Sequence, residues 1–143
     1  MESHEVTDIV RVCSDLIVRY THFADLGELH RIPELFTHDG IWATPAEEHK
    51  GQDALRERFE AMAEEALSIQ RVTRHVCSNM LVDVLSPEEA TATVYLTLYL
   101  RAGPTESPAP NPVPTKIGQY RDRLVKTVEG WRFAERRCSY AFV

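Results

Sequence analysis

The hydrophobic pattern of this chain changes period after Ser68, and that change restricts the folds open to it. Before that point, apolar side chains recur every three or four residues, which is the spacing of an amphipathic helix. After it, long segments rich in Val, Leu, Thr and Tyr alternate as strands do. These segments cover residues 74–85, 90–101, 116–128 and 131–142. Helices followed by a meander of strands predict an α+β fold, with the helices packed on one face of a curved antiparallel sheet.

Three helices are predicted in the N-terminal half. The first runs from about Glu5 to Ala24, and Gly27 supplies a stop of the kind that ends helices. A short second helix covers residues 28–36, and a third begins at residue 51 and ends near residue 67. The first two helices are expected to form a hairpin. Between the second and third, residues 40–43 are a candidate for a short strand.

Residues typical of turns separate the predicted strands, and a proline-rich segment indicates one long loop. Residues 86–89 and 129–130 are typical of tight turns, so the first and last pairs of long strands are predicted to be antiparallel hairpins. The segment 102–115 contains five prolines, which prevent regular structure. We expect it to be a mobile flap at one end of the sheet, near a pocket entrance.

Composition and charge exclude several classes of protein. The 143-residue chain suits one domain over residues 1–143, and a net charge of −6 argues against a nucleic-acid partner. No apolar run approaches the length that spans a bilayer, and a cytoplasmic location is expected. Cys13, Cys77 and Cys138 are widely separated, so neither a disulfide framework nor a zinc site is indicated. We expect no metal and no cofactor.

Several short motifs together resemble a known family. They are Tyr20 with Asp25 five residues on, residues 35–40 with Trp42, the helix start at 51–55, residues 73–75 with Asn79, residues 118–122, and residues 130–133. In this combination the chain resembles the SnoaL-like branch of the nuclear transport factor 2-like superfamily, which includes scytalone dehydratase and bile acid 7α-dehydratase. The resemblance implies a cone-shaped curved sheet with three N-terminal helices on its concave face, enclosing a pocket.

The resemblance also implies which residues surround a substrate. A Tyr and an Asp at the end of the first helix and a His on the following long strand match Tyr20, Asp25 and His75. Trp42 and Tyr95 are further candidates for substrate contact. Relatives of this kind carry an acid on the strand of Tyr95, and this chain has none there. An arginine of the last strand matches Arg136, with Arg137 as the alternative if a β-bulge shifts the register.

The Asp25 and His75 pair also has a physical rationale of its own. An imidazole can take a proton from carbon and return it to a leaving oxygen, provided that a neighbour fixes its tautomer and stabilises its cation. Asp25 could do both, and Tyr20 could donate a hydrogen bond to developing negative charge. Each residue also has a structural interpretation. Asp25 could cap the second helix, His75 could be a hydrogen-bonded strand residue, and Tyr20 could be a core tyrosine.

Two classes of function remain open at this stage. The first is a cofactor-independent lyase, isomerase or cyclase that moves protons on a hydrophobic small molecule, such as a polyketide or steroid. The second is a non-catalytic binding protein or a structural subunit, like the small subunit of ring-hydroxylating oxygenases. The two classes differ in whether Asp25 and His75 meet inside a cavity. A homodimer formed through the outer face of the sheet is expected in either case, because large residues alternate onto both faces of residues 90–101.

Overall fold

The computed structural model of the chain describes residues 1–104, 108, 110 and 113–143. Two α-helices, α1 (Ser3–Asp25) and α2 (Gln52–Ser68), flank a 3₁₀ helix (Leu29–Leu35). The strands are β1 (Phe36–Ala43), β2 (Glu48–Lys50), β3 (Val72–Ser86), β4 (Glu89–Arg101), β5 (Lys116–Thr127) and β6 (Gly130–Phe142). The predicted α+β class is confirmed, and the four long strands lie where the alternation placed them.

The strands form one open, six-stranded sheet in the order β2-β1-β6-β5-β4-β3. Strands β3 to β6 form the predicted antiparallel meander. The exception to the antiparallel pattern is β1, which runs parallel to β6 and places Trp42 opposite Arg136. This strand begins at Phe36, four residues before the predicted start. The second helix is a 3₁₀ helix that contains Pro33, which has no backbone N–H to donate.

The core lies between the helices and the concave face of the sheet. Alternate residues of β4 point inward and are buried, including Ala90, Ala92, Val94 and Leu96. The helix α1 packs against β3 and β6, and α2 packs against β1, β2 and the 3₁₀ helix. Cys13, Ile17, Leu55 and Phe59 are the fully buried side chains of the two α-helices. None of the described helices covers the outer face of the sheet.

Exposed apolar side chains lie on that outer face, among them Val72, Val76, Tyr95 and Ile117. They are the surface on which the homodimer prediction depends, and the dimer stays a prediction. In the proline-rich segment predicted as a flap, residues 105–107, 109, 111 and 112 lie outside the described residues. The described helices include none that is both long enough and apolar enough to cross a membrane.

Candidate active site

A cavity of about 690 Å³ lies between the helices and the sheet. Its wall is largely apolar, with Phe59, Met62, Leu96 and Leu98 among its lining residues. Tyr20, Asp25, Trp42 and His75, four of the residues singled out in the sequence, also line it. The volume is within the range of about 300–1,000 Å³ that small-molecule sites occupy. The fold therefore brings the predicted polar residues together in a space of suitable size.

Asp25 is the last residue of α1, and its carboxylate is held by β3. Oδ1 accepts a hydrogen bond from the Thr73 hydroxyl at 2.8 Å, and Oδ2 accepts one from the His75 backbone N–H at 2.8 Å. The helix ends here as Gly27 takes a φ of +80°, a conformation that glycine adopts without strain. No side chain caps the 3₁₀ helix that follows. Helix capping is thus not the role of Asp25; its carboxylate bonds to strand β3 instead.

The imidazole of His75 completes the set of bonds to Asp25. Its Nδ1 lies 2.6 Å from Oδ1, and the two side chains are 16% and 9% exposed. An ionised carboxylate can only accept, so Nδ1 carries the proton and donates it in this bond. In the neutral ring, Nε2 is then an acceptor, and it has no hydrogen-bond partner among the described residues. The pair therefore presents an unoccupied basic nitrogen beside the cavity.

The surroundings of Asp25 favour its charged form. Burial raises the pKa of Asp25, but hydrogen bonds from the ring and backbone of His75 and from Thr73 outweigh this effect, and the pKa is lowered overall. The carboxylate is therefore ionised throughout the neutral range. A permanent negative charge at Nδ1 stabilises the imidazolium that would form when Nε2 takes up a proton.

Tyr20 and Trp42 form a second hydrogen-bonded pair in the wall. The indole Nε1–H of Trp42 donates to the Tyr20 hydroxyl oxygen at 2.9 Å. Burial raises the pKa of Tyr20 to about 12, although Arg136 and the Trp42 bond both act against it. Tyr20 is therefore a neutral phenol at ordinary pH. Since the indole occupies an acceptor position of the oxygen, the phenolic proton remains available to donate to a ligand.

Arg136 lies behind this wall and does not line the cavity. Its guanidinium is fully buried and bonds to both carboxylate oxygens of Asp122, at 2.9 and 3.2 Å. The guanidinium carbon sits 4.3 Å from the Tyr20 ring centre and 3.6 Å from that of Tyr120. Its Nη1 is also buried. Among the described residues, it is the one buried side-chain nitrogen or oxygen that has no hydrogen-bond partner. The Tyr20 and Tyr120 rings thus separate Arg136 from any ligand, which corrects its expected place in the pocket.

The alternative residue, Arg137, points away from the core. It is half exposed and pairs with Glu48 at 2.7 Å and with Glu135.

Burial raises the pKa of Asp122 to about 6 against the opposing charge of Arg136, so both members of the inner pair are charged at neutral pH. The register of β6 therefore selects Arg136 as the inward residue, because Asp122 lies directly opposite it on β5.

Tyr95 also lies outside the cavity, against expectation. It is 53% exposed, whereas its neighbours Val94 and Leu96 on β4 are buried. Alternate residues of a strand point to opposite faces, so inward Val94 and Leu96 direct Tyr95 to the outer face. Tyr95 is therefore removed from the set of residues that surround a ligand.

Several polar residues of the cavity were not anticipated from the sequence. Glu47, Arg58, Lys116 and Tyr140 all line it. Glu47 lies in the connection between β1 and β2, where no periodicity indicates which side chains face inward. Lys116 and Tyr140 occupy strands whose alternation is disturbed by a register shift between Ile117 and Gly118. The described residues contain no group of three His, Cys, Asp or Glu side chains placed to hold a metal ion.

The fold and this cavity define a class: cone-shaped α+β domains that enclose a small-molecule site between helices and a curved sheet. Residues 5–137 match the model of the SnoaL-like domain, and the chain belongs to that family. The family is known for isomerase- and dehydratase-type activity. No curated protein matches the chain.

Many solved structures are similar to the chain, and three of them show the range of these neighbours. One, from Novosphingobium aromaticivorans, is provisionally named a scytalone dehydratase; it is 22% identical, with a TM-score of 0.83 over 99% of this chain and 89% of its own. A variant of Rv3472, a protein of unknown function from Mycobacterium tuberculosis, is 26% identical, with a TM-score of 0.76 over 96% and 78%. An NTF2-like protein with a cystatin-like fold, from Novosphingobium aromaticivorans, is 19% identical, with a TM-score of 0.72 over 98% and 90%.

Proposed function

We propose that this protein is a cofactor-independent lyase or isomerase that moves a proton on a hydrophobic small molecule bound in the cavity. The observation that carries the proposal is the 2.6 Å contact between Asp25 and His75 in the cavity wall, with Nε2 of the ring free of any hydrogen-bond partner among the described residues. A hydrogen-bonded aspartate and histidine beside an apolar space form an acid/base arrangement that is able to take a proton from carbon and return it. A non-catalytic binding site has no need of such a pair.

In the proposed reaction, Nε2 of His75 removes a proton from a carbon next to a carbonyl group. The electrons of the C–H bond move towards the carbonyl oxygen as the ring becomes an imidazolium. Asp25 acts as the positioning residue, because it fixes the tautomer that leaves Nε2 basic and lowers the energy of the cation. The largely apolar wall strengthens this charge interaction relative to water.

Tyr20 is proposed to stabilise the negative charge that develops on the carbonyl oxygen. Its hydroxyl is oriented by the bond from Trp42, and its raised pKa of about 12 keeps it protonated as a donor. A donor that is already oriented needs little rearrangement during the reaction, which is the basis of oxyanion stabilisation.

The fate of the abstracted proton separates the two reaction types. In a dehydration, the imidazolium returns the proton to a hydroxyl group on the neighbouring carbon, the C–O bond breaks, a C=C bond forms and water leaves. In an isomerisation, the same proton returns to a different carbon. We favour dehydration slightly, and the name of the 22% identical neighbour agrees with that choice. One imidazole is sufficient for either reaction.

The experiment is to incubate the protein in D₂O with a panel of cyclic ketones and cyclic β-hydroxy ketones. Proton abstraction is read by NMR as deuterium at the carbon next to the carbonyl, and dehydration is read as the absorbance of the conjugated enone. The proposal expects exchange with at least one compound, and its loss in His75→Ala. The matched control is His22→Ala, an exposed histidine of α1. No exchange above the buffer rate with any compound would favour a binding or structural role.

A further inference from the structure

The charges that line the cavity are unevenly compensated. Among the described residues, the two carboxylates that line it already have partners: Asp25 is held by β3, and Glu47 accepts hydrogen bonds from Arg58 and from His49. Lys116 also lines the cavity and is half-buried, but no carboxylate of the described residues lies within 4 Å of its ammonium group. An anionic group bound in the cavity would therefore not compete with a described carboxylate for this cation.

Lys116 lies in the same row of the sheet as His75. His75 of β3 is opposite Leu98 of β4, and Leu98 is opposite Lys116 of β5. Residues directly opposite one another in neighbouring strands point to the same face, so both side chains project into the cavity. Two strand spacings of about 4.8 Å put the two positions about 10 Å apart. One ligand could therefore contact both residues across Leu98.

The side chain of Lys116 is supported from below by Tyr140. Its Nζ lies 4.6 Å from the centre of the Tyr140 ring, within range of a cation–π interaction. Gly118 makes this placement possible, because a Cβ atom there would lie 3.0 Å from Cδ1 of Tyr140 and 2.1 Å from the backbone oxygen of Ser139. The absence of a side chain at Gly118 lets β6 approach β5 closely enough to bring the ring under the ammonium group.

We propose that Lys116 is a specificity-determining residue that binds an anionic group of the substrate. The substrate class is then an apolar ring compound carrying one anionic group, which lies on the far side of Leu98 from the carbon that His75 deprotonates. This inference rests on the proposed function for the reacting end of the molecule. Attraction to the anion is local, since the whole chain carries a net charge of −6 and its overall field disfavours anions.

The test compares two fluorescent probes that share a ring skeleton and differ in charge. Anilinonaphthalene sulfonate carries one negative charge, and N-phenyl-naphthylamine is the neutral counterpart. We expect Lys116→Met to weaken binding of the sulfonate about tenfold, as loss of a charge-assisted contact does, and to leave the neutral probe unchanged. Lys116→Arg should retain the preference for the anion. The matched control is Lys126→Met, an exposed lysine of the same strand outside the cavity.

A cavity-filling variant, Ala63→Phe, reports whether the probes occupy this cavity, because Ala63 lines it on α2. This variant should weaken the binding of both probes. Equal changes for both probes in Lys116→Met, or equal losses in Lys116→Met and Lys126→Met, would overturn the proposal, as would failure of the sulfonate to bind. The assay measures binding alone. A catalytic failure with the probe preference intact would therefore refute the proton-transfer reaction and leave the anion site standing.

Discussion

Two aspartates of this protein pair with nitrogen bases, and their surroundings give the pairs opposite properties. Asp25 and His75 lie in the cavity wall with 9% and 16% of their side chains exposed, and Nε2 of His75 has no hydrogen-bond partner in the part of the chain that the structure describes. Asp122 and Arg136 are fully buried, joined by two hydrogen bonds, and enclosed by the rings of Tyr20, Tyr120 and Phe133. Both pairs combine a carboxylate with a basic side chain. One can exchange a proton with a ligand, and the other cannot reach one.

The comparison shows that access and proton affinity, rather than the presence of a charged pair, distinguish a catalytic role from a structural one. A guanidinium stays protonated at any ordinary pH, so Arg136 is unable to act as a base. An imidazole changes charge near neutrality, and Asp25 anchors it from one side only. Buried charges also perturb pKa values in purely structural settings, as the raised pKa of Asp122 illustrates.

The largest expected effect is on the accessible pair, Asp25 and His75. Asp25→Asn should lower turnover by about 10²–10⁴-fold, the range for losing a positioned base, because an amide no longer stabilises the imidazolium and can donate to Nδ1, which favours the wrong tautomer. The dependence of turnover on pH should also change in this variant. Asp53→Asn, an exposed aspartate of α2, is the control. Wild-type turnover in Asp25→Asn would make the two pairs equally structural.

Substitutions in the enclosed pair, Asp122 and Arg136, should lower the stability of the fold. Arg136→Met leaves the Asp122 carboxylate buried without a counter-charge, and we expect a loss of about 3–5 kcal/mol in the free energy of unfolding, measured with urea. The double variant Asp122→Leu with Arg136→Met should recover much of that loss, since it removes both charges. If the single variant costs under about 1 kcal/mol, water reaches Asp122 and the pair is not sealed.

A smaller effect is expected for the residue that lies between the two pairs. Tyr20→Phe removes the proposed donor to the substrate and the acceptor of the Trp42 indole. We expect about a tenfold loss of turnover, less than for Asp25→Asn because the proton carrier remains, and a loss of about 1–3 kcal/mol in stability from the unpaired indole N–H. A rate loss as large as that of Asp25→Asn would make Tyr20 a full participant in proton transfer.

The smallest expected effect is on the stability of the protein at acidic pH. The folded-state pKa of Asp25 is lowered, so its contribution to stability is complete above its unfolded pKa of about 4 and is lost as the pH falls through the folded-state value. Below about pH 4, wild-type stability should therefore decline more steeply than that of Asp25→Asn. Chemical unfolding at a series of acidic pH values measures the difference. Parallel curves would mean that Asp25 gains no stabilisation from its partners.

The sequence predicted the accessible pair better than the enclosed one. The helix stop at Gly27 and the strand containing His75 indicated both positions, and the family resemblance joined them. The outcome for Tyr95 depended on which face of β4 is concave, and alternation alone does not specify that. Val94 and Leu96 settle it for β4, since their burial turns Tyr95 outward. Arg136 does point inward, but the rings of Tyr20 and Tyr120 lie over it, and no sequence pattern indicated that contact. The parallel pairing of β1 with β6 also lacked a local signal, because it joins segments almost a hundred residues apart.

The most direct test of the central claim, that Asp25 and His75 act as one proton-carrying unit, is a double-mutant cycle on the deuterium exchange rate. Wild type, Asp25→Asn, His75→Ala and the double variant are compared on one ketone, with thermal stability measured alongside. The account predicts that each single variant loses most of the exchange and that the double variant is scarcely slower than His75→Ala, because residues that work as a unit are strongly non-additive. Losses that multiply in the double variant, or exchange near the wild-type rate in both single variants, would contradict it.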